Sequence, residues 1–117
     1  MDEANFKLDI DFSNFKLDVD TAIPMGLIIN ELVINALKYA YINTAEPALQ
    51  LRLKKKEEEL ILEIADNGNG KINDLEAANS FGMKLVKSLS RQLGGKLVIN
   101  DDAGLNIQIS IADFKLV

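Results

Sequence analysis

The sequence predicts an α+β two-layer sandwich, in which helices cover one face of a mixed, mainly antiparallel sheet. Three observations support this prediction. Several short runs alternate apolar and polar residues at the two-residue period of half-buried strands. Two longer runs carry apolar residues at helical spacing. The order of these runs is strands, helix, two strands, helix, two strands, which favours such a sheet with its helices on one face.

The first half of the chain predicts two strands and a long helix. Residues 5–11 and 14–20 are near copies of one alternating pattern, and we expect two strands joined by Phe12 and Ser13. The helix is expected to open at residues 21–24, where Thr21 or a neighbour caps it and Pro24 lies in the first turn. It should run to about Ala40.

The second half predicts two hairpins and a second helix. Residues 49–55 and 60–65 alternate as an antiparallel pair, and the second of these strands leads to Asp66. A polar segment, 71–79, precedes a helix over 81–93, which Gly94 and Gly95 end in the left-handed manner. Residues 97–100 and 105–112 form the closing hairpin.

Composition narrows the possible functions. The 117 residues are about one domain long, and 48% hydrophobic residues suffice for one core, so we expect a single domain over 1–117. The chain has no cysteine and no histidine. These absences exclude a disulfide framework, a thiol nucleophile, a Ser-His-Asp triad and a histidine phosphoacceptor within the chain.

Charge and hydropathy give expectations about partners and location. The net charge of −5 argues against nucleic-acid binding, which requires clustered Lys and Arg. The basic run 52–56 is followed at once by three glutamates, which is typical of a solvated hairpin end. No uninterrupted apolar run approaches about 18 residues, and the first residues do not form a signal peptide. We expect a cytoplasmic domain without direct membrane contact.

Polar residues on the first helix form a candidate site. Glu31, Asn35 and Lys38 fall within roughly 60° of one another on a helix that is otherwise apolar nearly all round. A carboxylate and an amide one turn apart can face a hard cation and its water, and a lysine one turn further can meet phosphate. The alternative is that this narrow stripe is simply the solvent face of the helix.

Two glycine-containing segments extend this candidate site. Residues 66–70, Asp-Asn-Gly-Asn-Gly, end a strand where the backbone can turn sharply towards a flat ligand, and Asp66 can accept a hydrogen bond from an exocyclic amine. Gly82 opens the second helix, where free N–H groups favour an anion such as a di- or triphosphate. The alternatives are a plain Asn-Gly turn and a glycine chosen for close packing.

Together these segments resemble the ATP-binding domain of the GHKL superfamily, which joins DNA gyrase, a heat-shock chaperone, sensor histidine kinases and mismatch-repair ATPases. The resemblance covers nearly the whole chain. Residues 21–40 and 92–97 look especially like bacterial two-component sensor histidine kinases with a short ATP lid. The resemblance implies the Bergerat fold, in which about three helices cover one face of the sheet. It also implies ATP and Mg²⁺ as cofactors.

The resemblance also implies roles for single residues. Glu31 matches a catalytic acidic residue, described as a base or a water-positioning group, and Asn35 matches the magnesium-binding asparagine. The remaining nucleotide-binding matches are Lys38 and Tyr39, Asp66 for the adenine amine, Gly68 and Gly70 beneath the base, and Phe81, Gly82 and Met83 at the phosphates.

Three positions depart from the family pattern. Ser80 replaces a glycine, Lys71 replaces an aliphatic residue, and Leu105 replaces a threonine after Gly104. The hydroxyl of Ser80 can cap the second helix. Leu105 lacks a hydroxyl near the base, which should weaken nucleotide affinity modestly.

The resemblance implies a histidine kinase catalytic domain that transfers the γ-phosphoryl of ATP to a histidine. Because the chain has no histidine, that residue must lie on a separate dimerisation and phosphoacceptor domain, in cis in a longer sensor kinase or in trans. A response regulator would act downstream. We favour the interpretation that these residues are excised from a longer kinase. The alternatives are an anti-sigma-factor-type serine kinase, and a nucleotide-binding or docking module without kinase activity.

Overall fold

A computed structural model of the protein describes residues 7–13, 16–39, 46–68, 81–101 and 104–112. Within these ranges the chain forms five strands and two helices, one helix fewer than the resemblance implies. The elements are β1 (Lys7–Phe12), α1 (Val19–Tyr39), β2 (Ala48–Lys56), β3 (Glu59–Asp66), α2 (Phe81–Gln92), β4 (Gly95–Asn100) and β5 (Asn106–Ile111).

The five strands form one mixed sheet with the order β1-β2-β3-β5-β4. β1 is parallel to β2, whereas the β2–β3, β3–β5 and β4–β5 pairs are antiparallel. The predicted α+β fold with a mixed, mainly antiparallel sheet is therefore confirmed. The closing hairpin places β5, not β4, beside the central strand β3, so that the start of β5 meets the end of β3.

The hydrophobic core lies between one face of the sheet and the two helices. Alternate residues of the central strands are buried there, and Leu51, Ile64 and Ile107 occupy one cross-strand row. Helix α1 contributes Met25, Ile28 and Leu32. Helix α2 contributes Met83, Val86 and Leu89, and Leu93 follows directly after it. Burial of this apolar area is the main force that holds α1 and α2 on the sheet.

The two near copies in the sequence adopt different structures. Residues 7–12 of the first copy form β1. In the described part of the second copy, residues 16–20, Leu17 makes a strand-like bridge and α1 begins at Val19. The prediction of a second strand over 14–20 is therefore wrong, because the end of that range is helical. The Asp18 carboxylate accepts a hydrogen bond from the amide of Asp20 at 2.7 Å, and its carbonyl accepts one from the amide of Ala22 at 2.8 Å. This capping starts the helix and overrides the alternating pattern.

Because α1 starts at Val19, Pro24 lies inside the helix and not in its first turn as predicted. The helix therefore lacks the hydrogen bond that an N–H at this position would donate. The end of α2 follows the prediction. Gly94 has a φ of +67°, and its amide donates to the carbonyl of Arg91 at 3.0 Å, so the helix ends in a left-handed glycine.

Candidate functional site

The carboxylate of Asp66 is held by backbone amides at the end of β3. Its Oδ1 accepts hydrogen bonds from the amides of Gly68, at 2.9 Å, and Leu105, at 3.1 Å. The amide of Asp66 in turn donates to the carbonyl of Leu105 at 2.9 Å. Asp66 and Leu105 are thus joined in both directions. Among the described residues both bonds to the carboxylate go to Oδ1, which leaves Oδ2 as the oxygen that could recognise a ligand.

Gly104 makes this close approach possible. Its φ of +110° lies in the region that favours glycine, and a Cβ at this position would lie 2.1 Å from the carbonyl oxygen of Asp66. A side chain cannot occupy that space, because the contact is with backbone. Gly104 therefore allows the segment before β5 to pack directly on the end of β3.

Asn67 fixes the same strand end from the other side. Its Oδ1 accepts a hydrogen bond from the amide of Ala48 at 2.8 Å, and its Nδ2 donates to the carbonyl of Glu46 at 2.9 Å. These bonds tie the exit of β3 to the entrance of β2. The turn that follows Asp66 is anchored on both neighbouring strands, which preorganises the carboxylate.

Asn35 and Asp66 line the same small cavity between α1 and the sheet. The cavity has a volume of about 20 Å³, and its walls are Leu32, Asn35, Ala36, Ile64, Asp66, Leu105 and Ile107. Apart from Asn35 and Asp66, these side chains are apolar. A cavity of this size has room for about one water molecule.

The amide of Asn35 is an exception to the usual pairing of buried polar groups. Its side chain is only 6% exposed, and its Nδ2 has no hydrogen-bond partner among the described residues. Such an atom costs the folded state about 1–3 kcal/mol. A polar group left unpaired beside a carboxylate-lined cavity is typical of a site that a ligand or water completes.

The other predicted residues of α1 lie on the side of the helix next to Asn35. Glu31 is half-buried one turn before Asn35, and Lys38 is exposed near the end of the helix. Neither residue lines the cavity. Tyr39 is the last residue of α1, and its side chain lies outside the described part of the structure.

The predicted phosphate end of the site is described only in part. Gly82 is half-buried in the first turn of α2, and the side chain of Met83 is buried in the core with 6% exposure. The core packing of Met83 gives it a structural role whether or not it also contacts a nucleotide. Gly70, Lys71 and Ser80 lie outside the described residues, as does the side chain of Phe81.

The side-chain oxygens of the described residues at this site suit a cation that keeps most of its bound water. No group of three or more His, Cys, Asp or Glu side chains is placed to hold a metal within residues 7–13, 16–39, 46–68, 81–101 and 104–112. Mg²⁺ needs no such cage, because it usually binds one or two protein oxygens, several waters and substrate phosphates. The side-chain oxygen of the buried Asn35 fits that role.

The backbone partners of Asp66 are not evident from the sequence. It places Gly104 only in a hairpin loop, and it identifies Leu105 only as a position lacking a hydroxyl. The pairing of β3 with β5 brings both beside Asp66, which lies 39 residues before Leu105 in the chain. The one local signal is the glycine itself, which marks a position where the backbone needs unusual freedom.

Comparison with known proteins gives a consistent result. Residues 10–111 match a protein family described as the histidine kinase-like ATPase domain. A curated relative, blue-light-activated histidine kinase 2 of Erythrobacter litoralis (strain HTCC2594), is 29% identical over 109 residues, covering 90% of this chain and 32% of the relative. The chain therefore spans about a third of the length of that relative.

Solved structures show the same fold. The histidine kinase domain of an Erythrobacter litoralis blue-light activated histidine kinase superposes with a TM-score of 0.86 at 26% identity, over 95% of this chain and 53% of that chain. The histidine kinase AdeS of Acinetobacter baumannii gives a TM-score of 0.75 at 18% identity, over 95% and 56% of the two chains. Full-length ShkA, solved in complex with AMPPNP, gives 0.74 at 17% identity, over 98% and 27%. The last two likenesses concern the fold alone.

Proposed function

Because this chain belongs to the histidine kinase-like ATPase domain family, we propose that it binds Mg-ATP and donates the γ-phosphoryl group to a histidine on a separate domain. One observation carries the proposal. The buried amide of Asn35 and the anchored carboxylate of Asp66 meet at one cavity. These are the two residues that the sequence matches to magnesium binding and to adenine recognition.

Asp66 is proposed to recognise the base. With Oδ1 held by two backbone amides, Oδ2 is oriented to accept a hydrogen bond from the exocyclic amine of adenine. A charged acceptor of this kind contributes about 1.5–3 kcal/mol. Guanine carries a carbonyl at the equivalent ring position and would place two acceptors against each other, so the same arrangement selects adenine.

Asn35 is proposed to hold magnesium through its side-chain oxygen, with the phosphates and water as the other ligands. When bound, the ion would neutralise phosphate charge. Lys38, exposed near the end of the same helix, would contact the phosphates. The amides at the start of α2, around Gly82, would supply further hydrogen bonds to them. Gly68, Gly70, Tyr39, Phe81 and Met83 complete the proposed nucleotide-binding set.

The proposed reaction transfers one phosphoryl group in line. A ring nitrogen of the acceptor histidine attacks the γ-phosphorus, a P–N bond forms, and the bond to the β–γ bridging oxygen breaks to release ADP. Glu31, half-buried one turn before Asn35, would accept the proton that the imidazole releases. This role makes Glu31 the proposed catalytic residue.

The acceptor cannot belong to this chain, since the chain contains no histidine. We propose a dimerisation and phosphoacceptor domain as its partner, in cis in a longer kinase or in trans, and a response regulator downstream. A cytoplasmic location without nucleic-acid or membrane partners completes the proposal. The names of the two Erythrobacter litoralis relatives support a kinase context, because each is a histidine kinase.

A chimera tests the proposed function. This chain would replace its matching segment in the Erythrobacter litoralis histidine kinase domain, and radiolabel transfer from [γ-³²P]ATP would be followed. We expect acid-labile, alkali-stable phosphohistidine, and we expect Glu31→Gln to slow its formation at least about 100-fold. Alkali-labile phosphoserine would instead indicate the serine-kinase alternative. Nucleotide binding without any transfer would favour the binding module.

A further inference from the structure

Helix α2 is basic, although the chain as a whole is acidic. The helix contains two lysines, one arginine and no acidic residue, whereas the net charge of the chain is −5. Lys87 and Arg91 are exposed one turn apart, and neither forms an ion pair among the described residues. The helix dipole favours cations near the end of a helix. The dipole does not account for the cavity that these two side chains line.

This second cavity, which we call the α2–β4 cavity, lies between α2 and the start of β4. It has a volume of about 240 Å³ and is lined by Lys87, Ser90, Arg91, Gly95 and Leu97. No carboxylate is among these residues. None of them lines the cavity that contains Asn35 and Asp66. The α2–β4 cavity is therefore separate from the proposed nucleotide site.

The hydroxyl of Ser90 in the cavity wall is a buried polar group without a partner. Ser90 is only 2% exposed, and its Oγ has no hydrogen bond among the described residues. Buried polar groups are normally paired. Rotation about one bond, between staggered positions, can turn this hydroxyl towards a molecule in the cavity. A ligand that accepts a hydrogen bond there would satisfy it.

Gly95 allows the start of β4 to lie close to the end of α2. A Cβ at this position would lie 3.1 Å from the carbonyl oxygen of Ser90 and 3.2 Å from the side chain of Ile109. On the strand side the wall of the cavity therefore consists of the Gly95 backbone and the apolar side chain of Leu97. On the helix side it consists of two cations and a hydroxyl. The cavity thus has one polar and one apolar side.

We propose that the α2–β4 cavity binds a small phosphate monoester. A phosphate monoester carries a charge of about −1.5 to −2 at neutral pH and three strong acceptor oxygens. Two cations and one hydroxyl match that charge and that number of acceptors, whereas a carboxylate would leave one cation unbalanced. The planar fork of the Arg91 guanidinium suits two phosphate oxygens, and the ammonium of Lys87 adds a charge-assisted hydrogen bond. The organic group of the ester would lie against Leu97.

The size of the cavity limits the ligand. Pockets for drug-sized molecules have volumes of about 300–1,000 Å³, and the α2–β4 cavity, at about 240 Å³, is smaller. The expected ligand is therefore smaller than a nucleotide. This site goes beyond the proposed function and does not depend on it.

Titration of the chain with phenyl phosphate, followed by the NMR shifts of its backbone amides, tests the proposal. The ionic strength is held constant, because salt screens exposed charges. We expect saturable shifts at Ser90, Gly95 and Leu97. Benzoate, which carries a single negative charge on the same ring, should bind at least about tenfold more weakly.

Variants of the two cations identify the groups that bind. Arg91→Gln and Lys87→Gln each remove a charge-assisted hydrogen bond and should weaken the affinity for phenyl phosphate at least about tenfold. Lys84→Gln is the matched control, because Lys84 is exposed on the same helix and does not line the cavity. It removes the same charge and should leave the affinity unchanged.

Ser90→Ala separates a binding role from a structural one. Because the hydroxyl has no partner, its removal should leave the melting temperature unchanged or raise it, while the affinity for phenyl phosphate falls about threefold or more. An unchanged affinity would remove Ser90 from the site and overturn the proposal. If this variant does not fold, the two exposed cations decide the outcome.

Four other results would overturn the proposal. These are the absence of saturable shifts at about 10 mM phenyl phosphate, an unchanged affinity in Arg91→Gln, an equal loss of affinity in Lys84→Gln, and equal affinity for benzoate. Vesicles of phosphatidic acid in phosphatidylcholine distinguish a lipid headgroup from a free ester. If they bind in an Arg91-dependent manner while phenyl phosphate does not, the cations serve a lipid surface and the proposal is wrong.

Discussion

The candidate site depends on a few residues that are not the best choice for stability at their positions. Asn35 buries an amide nitrogen that has no partner in the described structure, and Gly104 adopts a φ of +110° against the backbone of Asp66. The folded state would be more stable with an apolar residue in place of Asn35. It would also be more stable with a turn that needs no positive φ at Gly104. Residues that cost the fold in this way are expected where a ligand completes the site.

Asn35→Leu should separate stability from binding. Leucine has nearly the same shape as asparagine and carries no unpaired polar group, so we expect the free energy of unfolding without nucleotide to rise by about 1 kcal/mol. Magnesium-dependent ATP binding should be lost. Thermal unfolding with and without Mg-ATP measures both effects. A large loss of stability without nucleotide would mean that Asn35 is structural.

Gly104→Ala should destabilise the fold. The new Cβ would lie 2.1 Å from the carbonyl oxygen of Asp66, and φ is positive, so the strands must separate locally. We expect a loss of at least about 2 kcal/mol in urea unfolding, together with weaker nucleotide binding. A variant with the stability of the natural chain would contradict the assigned contact.

Gly26→Ala should have the opposite effect on stability to Gly104→Ala. Gly26 lies inside α1, and a Cβ there meets nothing within 4 Å. Alanine should stabilise the chain by about 0.5–1 kcal/mol, because glycine loses more backbone entropy in a helix. The same urea experiment measures it. A decrease would show that the position is more constrained than the helix geometry indicates.

At the scale of elements, local sequence predicted most strands and helices but not all of them. The patterns over β2, β3, α2, β4 and β5 predicted elements within about two residues of the observed bounds. The repeated pattern failed at its second copy, since Asp18 caps a helix where alternation predicted a strand. The hydrogen bonds that cap the helix at Asp18 favour a helix over a strand here. The period of the apolar residues gives no information about such bonds.

The edge pairing of β1 with β2 has a pH dependence that can be tested. The ammonium of Lys54 lies 2.8 Å from the carboxylate of Asp11, and its hydrogen bond and charge lower the pKa of Asp11 below the ordinary value of 3.8. A depressed carboxyl pKa adds stability above the unfolded pKa. That stability is lost as the pH falls from about 4 through the folded pKa.

Lys54→Met should therefore return the Asp11 pKa towards 3.8 in an NMR titration of its carboxyl carbon. The pair is exposed at the sheet edge, so stability at neutral pH should hardly change. Lys55→Met, at the adjacent exposed position, should leave the pKa of Asp11 where it is. An unchanged Asp11 pKa in Lys54→Met would show that the ion pair does not persist in solution.

At the scale of the whole molecule, the sheet order creates the site. Asp66 ends the central strand β3, Leu105 precedes its neighbour β5, and α1 lies over both at Asn35. The sequence predicted the fold class and the family. It also singled out Asn35 and Asp66, which line one cavity in the structure and whose roles stay predictions. It could not place Gly104 and Leu105 beside Asp66. The local pattern of apolar and polar residues does not tell which distant strands pair with each other.

Calorimetric titration of the purified chain with ATP, with and without magnesium, tests the central claim most directly. The account predicts saturable binding that needs magnesium and weakens about 10- to 100-fold in Asp66→Asn. In that variant the two backbone amides would hold the oxygen of the new carboxamide and turn its NH₂ group towards the amine of adenine. Asp9→Asn, on the exposed strand β1, is the control and should bind normally. No binding at about 1 mM ATP, or equal affinity in Asp66→Asn, would contradict the account.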